Sequence, residues 1–198
     1  MPNMKDTIKT VAIDLFYKKS YFASGISDIA RLAGIQKSSI YYHYSNKEDI
    51  LFDILNTTML DLNSSLNQRL EGLKTAEEKI QAAIESHILF HIERQKEVII
   101  ADSELRGLSI ENYKTITKMR DEYEGKFQKI LKKGIDDGSF IKTDYKIISY
   151  GILTMCTAVC LWFDQKGRLS KDEIARIYKG FLINGLKKSH RSNSRHQE

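Results

Sequence analysis

The chain has 198 residues, of which 41% are hydrophobic and 29% charged, enough apolar material for a sizeable core and too much for a disordered chain. A formal net charge of +5 and a pI near 9.0 favour a polyanionic partner. No apolar run approaches the roughly 20 residues that cross a bilayer. The opening MetProAsnMetLysAspThr lacks the apolar centre of a signal peptide, so the expected location is the cytoplasm. The single proline, Pro2, precedes every helical segment, and apolar residues recur at three- and four-residue steps, so the expected fold is all-α with about nine helices.

A first helix is expected over residues 4–20, burying Ile8, Val11, Ala12, Leu15 and Phe16. Residues 24–47 then set two short helices around a tight turn. Ile26, Ile29, Ala30 and Ala33 share one face, and Gly34 follows as the left-handed residue that ends a helix. In the second short helix Ile40 and Tyr44 point inward. Gln36, Lys37, Ser38, Ser39, Tyr41, Tyr42 and His43 are left outside, a set of donors and cations suited to base edges and phosphates in a major groove. Charge follows the same division. Residues 1–47 carry seven Lys or Arg against three Asp, whereas residues 97–125 carry seven carboxylates against four cations.

The run AlaGlyIleGlnLysSerSerIleTyrTyrHisTyrSerAsnLysGluAspIleLeu resembles the signature of the TetR family of bacterial repressors. That resemblance covers about the first quarter of the chain. It implies a three-helix DNA-binding head, a long fourth helix, and a helical body that dimerises and encloses an inducer. It also implies phosphate contacts at Lys37, Tyr42, His43 and Lys47, with Ser27, Gln36, Ser38, Ser39 and Tyr41 nearest the bases of double-stranded operator DNA. Two positions depart from the family pattern. Gly25 and Gln36 stand where Ser or Thr usually caps, which weakens each cap by roughly 1 kcal/mol or less.

Ser45 with Glu48 reads as a capping box that starts a fourth helix at Asn46, continuing to about Glu71 and ended by Gly72. Thr75 with Glu78 opens another, through His87, Ile88, Phe90 and His91, and a shorter helix runs to about Leu105. A long helix near 110–136 carries the stripe Ile116, Met119, Tyr123, Phe127, Ile130 and Leu131. A very apolar helix follows, from Ile147 to an end at Gly167, and Ser170 with Glu173 caps the last one. The expected division is therefore a head over 1–47, a ligand-binding and dimerisation body over 48–189 and a flexible tail over 190–198. The last two helices are apolar on more than one face and contain Gly151, Ala158, Gly180 and Gly185, so a two-fold four-helix interface over residues 143–187 is expected, making the protein a homodimer.

Chemistry-bearing residues are few. His87 and His91 stand one helical turn apart, but no third ligand accompanies them, so no metal is expected. Cys156 and Cys160 share a helix, poorly placed for bridging, and read as reduced core residues. There is no phosphate loop, nucleophile elbow or Cys/His pair, which leaves a small helical enzyme only as a remote alternative. Arg120 lies on the stripe expected to be buried, so it needs a partner, either a carboxylate such as Glu104 or an anionic ligand. Trp162, Phe163 and Arg168 repeat the pairing of apolar surface and cation.

From AlaAspSerGluLeuArgGlyLeu to TrpPheAspGlnLysGlyArgLeuSer, over roughly residues 97–187, the body resembles the TetR-family regulators of fatty-acid and sterol breakdown, which respond to acyl-coenzyme A. The resemblance implies an acyl-coenzyme A effector and no cofactor. Its acyl chain is expected along Met119, Tyr123, Phe127, Ile152, Met155 and Val159, with Trp162 and Phe163 adjacent and Arg106, Arg120 or Arg168 at the mouth for its phosphates. The alternative is an uncharged hydrophobic drug or metabolite in the same body.

Overall fold

The computed structural model describes residues 3–187, and the tail expected over 190–198 lies outside them. Among the described residues every regular element is helical. Helices α1 (Met4–Lys19), α2 (Ile26–Ala33) and α3 (Lys37–His43) make the head, and α4 (Lys47–Leu70) leads out of it. The body follows as α5 (Ala76–Glu93), α6 (Gln95–Ser103), a 3-10 turn (Leu105–Gly107), α7 (Ile110–Asp136), α8 (Tyr145–Thr157), α9 (Val159–Trp162) and α10 (Lys171–Leu186). Among the described residues this agrees with the expected count of about nine, with one difference: the apolar helix expected to reach Gly167 is interrupted at Ala158, which divides it into α8 and α9, and ends at Trp162. At its end, Gln95 Nε2 donates to the carbonyls of Cys160 and Phe163, at 2.9 and 3.0 Å.

Helix α5 is the axis of the body. It packs against α4, α7, α8 and α10, and its buried residues fall on more than one side. The Thr75–Glu78 and Ser170–Glu173 capping boxes form as expected. The box at the start of α4 does not. There Asn46 caps, accepting from the Asp49 amide at 3.0 Å, and Asp49 accepts from the Ser45 amide at 2.9 Å. Glu48 is thereby freed to reach the body, where its carboxylate accepts from the Ser109 amide at 2.7 Å and from the Asn112 side chain at 2.8 Å.

The segment Tyr145–Trp162 corrects the expectation that no apolar run nears spanning length: its 18 residues have a mean hydropathy of 1.3. It is a broken helix packed on α5 and α7, with Ser149 fully buried. Its outward residues Ile147 and Tyr150, and Ile177 and Phe181 of α10, are exposed apolar side chains, Phe181 being 69% exposed. Between α8 and α10 runs a groove of about 640 Å³, lined by Ile147, Gly151, Met155, Phe181 and Gly185. Cys156 and Cys160 are buried and unbridged, and burial pushes their thiols up to about 12 and about 11.

Candidate functional site

Helices α2 and α3 are held at their crossing by Ile29, Ala30 and Ile40, all buried, with Gly34 in the left-handed conformation (φ +67°) between them. Neither helix has a side-chain cap from its N-cap residue. Asp28 reaches back to the Gly25 amide at 3.2 Å, and Gln36 caps nothing. Ser27, Gln36, Lys37, Ser38, Tyr41 and Tyr42 are exposed, Tyr42 at 86%, while Ser39 and His43 are half-buried. The Lys37 ammonium lies 5.8 Å from the Tyr41 ring centre, and Tyr42 meets the His43 ring edge-on. Tyr44 is buried and donates to Asp53 at 2.7 Å, fixing α3 to α4.

Lys47 is different. Its ammonium donates to the carbonyls of Tyr21 and Ser24, both at 2.9 Å, and sits 4.1 Å from the Tyr21 ring centre. Desolvation holds its pKa below the ordinary lysine value, and the Glu104 carboxylate partly offsets the shift. The structure thus places Lys47 inside the joint between head and body, and not among the free cations of the recognition surface. Glu104, buried at the end of α6, completes the joint by accepting from the Tyr21 amide at 3.2 Å. Its other oxygen is buried with no hydrogen-bond partner among the described residues. Gly107 lets the 3-10 turn close against the head, since a Cβ there would stand 2.7 Å from the Tyr21 ring and 2.9 Å from Leu51.

A cavity of about 190 Å³ lies in the body among α4, α5, α6, α7 and α8. Its apolar side comes from Met59, Leu62, Phe90, Val98 and Leu153, and its polar side from His87, His91, Tyr123 and Thr157, with Asp102 and Arg120 also lining it. Arg120 is one-third exposed and donates to the Ala101 carbonyl at 2.8 Å and to Asp102 at 3.2 Å, so its protein partner is Asp102 and not Glu104.

Of the expected ligand residues, only Arg120 and Tyr123 line this cavity. Phe127 is fully buried behind His87, and Val159 is core. Ile152 and Met155 line the α8–α10 groove instead, and Met119 packs half-buried on the core. Trp162 stacks on Tyr178 at the surface, and Phe163 faces a separate cleft near the α5–α6 junction. Arg106 covers the ring of Phe22 in the head, and Arg168 is exposed in the loop before α10, so neither stands at the cavity mouth. The single expected stripe fails because α7 and α8 each present two faces, and the expectation merged them.

The residues missed were those of α4, α5 and α6. His87 and His91 were visible as a pair, but the structure makes them hydrogen-bonded neighbours, their rings stacked at 3.8 Å. Among the described residues no cluster of three metal-ligating side chains occurs. Burial lowers His91 to about 4, the His87 carbonyl opposing the shift and the Arg120 charge adding to it, and burial with the His91 charge holds His87 well below the ordinary histidine value. The unfolded chain therefore takes up these protons near pH 6.5 while the native state refuses them, and stability present at pH 7 is lost as pH falls toward about 4. For His91 alone the full loss is about 3 kcal/mol. The urea midpoint is expected to drop between pH 7 and pH 5, and an unchanged midpoint would contradict a neutral, buried pair.

The head and body each match a described family. Residues 8–54 match the bacterial regulatory proteins of the tetR family, and residues 73–186 match the tetracyclin repressor-like C-terminal domain. The chain is 25% identical over 187 residues to the HTH-type transcriptional repressor KstR2 of Rhodococcus jostii, covering 91% of this chain and 89% of that protein. It is 28% identical over 127 residues to the fatty acid metabolism regulator protein of Bacillus subtilis, covering 64% and 66% respectively. Its fold matches that of AibR in complex with isovaleryl coenzyme A and operator DNA, with a TM-score of 0.85 at 24% identity, covering 93% of this chain and 100% of that one. With both models matched in order along one chain, and a helix-turn-helix head whose polar side chains are exposed for contact, the protein belongs to the TetR family of DNA-binding transcriptional regulators.

Proposed function

We propose that this regulator is a cytoplasmic homodimeric repressor that leaves a palindromic operator when an acyl-coenzyme A enters the α4–α8 cavity, and that it acts without a cofactor. The observation that carries the reading is the position of Arg120. A guanidinium at the edge of a largely apolar cavity joins an acyl-binding space to a cation, and KstR2 and the Bacillus regulator, as named, act in repression and fatty-acid metabolism. AibR, of the same fold, was seen with an acyl-coenzyme A and operator DNA together.

The same residue supplies a route to the head. Arg120 holds the last turn of α6 through the Ala101 carbonyl and Asp102, and two residues later Glu104 holds the Tyr21 amide. An exposed ion pair of this kind is worth about 0–1 kcal/mol, so an anionic ligand displaces Asp102 at small cost. The shift of α6 then acts on the head. The exposed α8–α10 face serves as the two-fold interface that sets the spacing of two heads, with the division near residue 47 separating reader from sensor. A tenfold loss of operator affinity needs about 1.4 kcal/mol of ligand preference for the released arrangement. The rival effector, an uncharged hydrophobic compound, is favoured by one fact: Arg120 already has Asp102 as a partner.

Two experiments test this reading. With a genomic fragment selected by binding, acyl-coenzyme A thioesters are expected to lower operator affinity at least tenfold, free fatty acid and coenzyme A alone much less, and Arg120→Ala is expected to blunt the thioester effect. Equal release by uncharged hydrophobic compounds, with Arg120→Ala silent, selects the rival. On the DNA side, Lys37→Ala is expected to reduce the slope of log affinity against log salt by about one unit. Lys47→Ala is expected to lower the melting temperature of the head and weaken binding without that change of slope. A Lys47→Ala protein of parental stability and reduced slope would restore it as a phosphate contact.

A further inference from the structure

On the polar side of the cavity, a single direction of hydrogen bonding gives every imidazole nitrogen a partner. His91 Nδ1 faces the His87 carbonyl at 2.7 Å, so it carries the proton, and in the neutral ring Nε2 is then an acceptor. Thr157 Oγ1 lies 3.4 Å from that Nε2 and 3.0 Å from His87 Nε2. With a single hydroxyl proton, Thr157 donates to His91 and accepts from His87 Nε2–H. His87 Nδ1 is then an acceptor, and Tyr123, 3.0 Å away, donates to it. Burial keeps both rings neutral. Every donor in the set is thereby used within the protein. What the hydroxyls of Tyr123 and Thr157 retain is lone pairs.

The cavity is also small. An apolar cavity of about 150 Å³ takes one benzene molecule, and at about 190 Å³ this one accommodates about six to eight non-hydrogen atoms. A long fatty-acyl chain exceeds it.

Resting on the acyl-coenzyme A reading above, we propose that the effector's acyl group is short, about six to eight non-hydrogen atoms, and that the cavity accepts a chain bearing a hydroxyl while rejecting one bearing a keto group. A hydroxyl donates to the lone pairs that Tyr123 and Thr157 keep, whereas a keto oxygen beside those two hydroxyls, away from Arg120 at the edge, meets acceptors and loses its water without replacement. The thioester oxygen stays at the edge, where Arg120 is a donor.

Calorimetry with hexanoyl-, 3-hydroxyhexanoyl-, 3-oxohexanoyl- and palmitoyl-coenzyme A tests this. The hydroxy thioester is expected to bind at least as tightly as hexanoyl, and the oxo and palmitoyl thioesters about tenfold more weakly. Met59→Ala, which enlarges the apolar side, is expected to move the optimum to longer chains, and Tyr123→Phe to narrow the gap between hydroxy and oxo forms. Palmitoyl binding as tight as hexanoyl, or oxo binding equal to hydroxy, overturns the proposal and leaves the acyl-coenzyme A reading in place. Failure of every thioester to bind removes that reading, and this proposal with it.

Discussion

The loop between α1 and α2 is a short connection whose backbone polar groups are turned inward, and its satisfaction is the constraint on which the rest of the molecule depends. Ser20 sits at φ +68° and ψ 159°, a region that L-residues avoid at a cost of about 1–3 kcal/mol. The conformation persists because the surroundings over-determine it. The Ser24 hydroxyl donates to the Ser20 carbonyl at 2.6 Å, Lys47 binds the Tyr21 and Ser24 carbonyls, and Glu104 binds the Tyr21 amide. A buried backbone group left without a partner costs about 1–3 kcal/mol, so the recognition motif is held in place by α4 and α6 as much as by its own core.

That arrangement ties the head to the body. The α6–α7 connection touches the head at three places: Glu104 at Tyr21, Gly107 against the Tyr21 ring and Arg106 over Phe22. The α7 start is in turn tied to the first turn of α4 through Glu48, which accepts from Ser109 and Asn112. Cavity and joint share α6, only two residues apart at Asp102 and Glu104. A ligand therefore need not deform the long α4 to reach the DNA-reading surface. On the route proposed above, displacing the final turn of α6 would be enough, since interiors packed to crystal density pass on small shifts.

Much of the fold was legible in the sequence because its signals are local. The bounds of α1 and α7, the starts of α5 and α10, two of three capping boxes and the left-handed Gly34 follow from residues within a few positions of each other. The recognition surface was legible for the same reason: α3 buries Ile40 and leaves its polar side chains outside. The third capping box went astray because Asn46 and Asp49 offer the same chemistry one residue later, and Glu48 has a better partner 61 residues away. The cavity was not legible. Its wall takes Met59 from α4, Phe90 from α5, Val98 from α6 and Thr157 from α8, and no periodicity along one helix tells which of its two apolar faces meets which neighbour. The joint at Lys47 was not legible either, since nothing near it in the chain says that the Tyr21 and Ser24 carbonyls, 26 and 23 residues back, accept from its ammonium.

On the proposed route, ligand and operator communicate through Glu104. Its most direct test is operator affinity with and without saturating hexanoyl-coenzyme A in the parent and in Glu104→Ala, with thioester binding measured separately on each protein. The account predicts that Glu104→Ala still binds the thioester but that its operator affinity becomes nearly indifferent to it, where the parent loses at least tenfold. A Glu104→Ala protein that is released from operator as fully as the parent would contradict the account, and would move the coupling to another path.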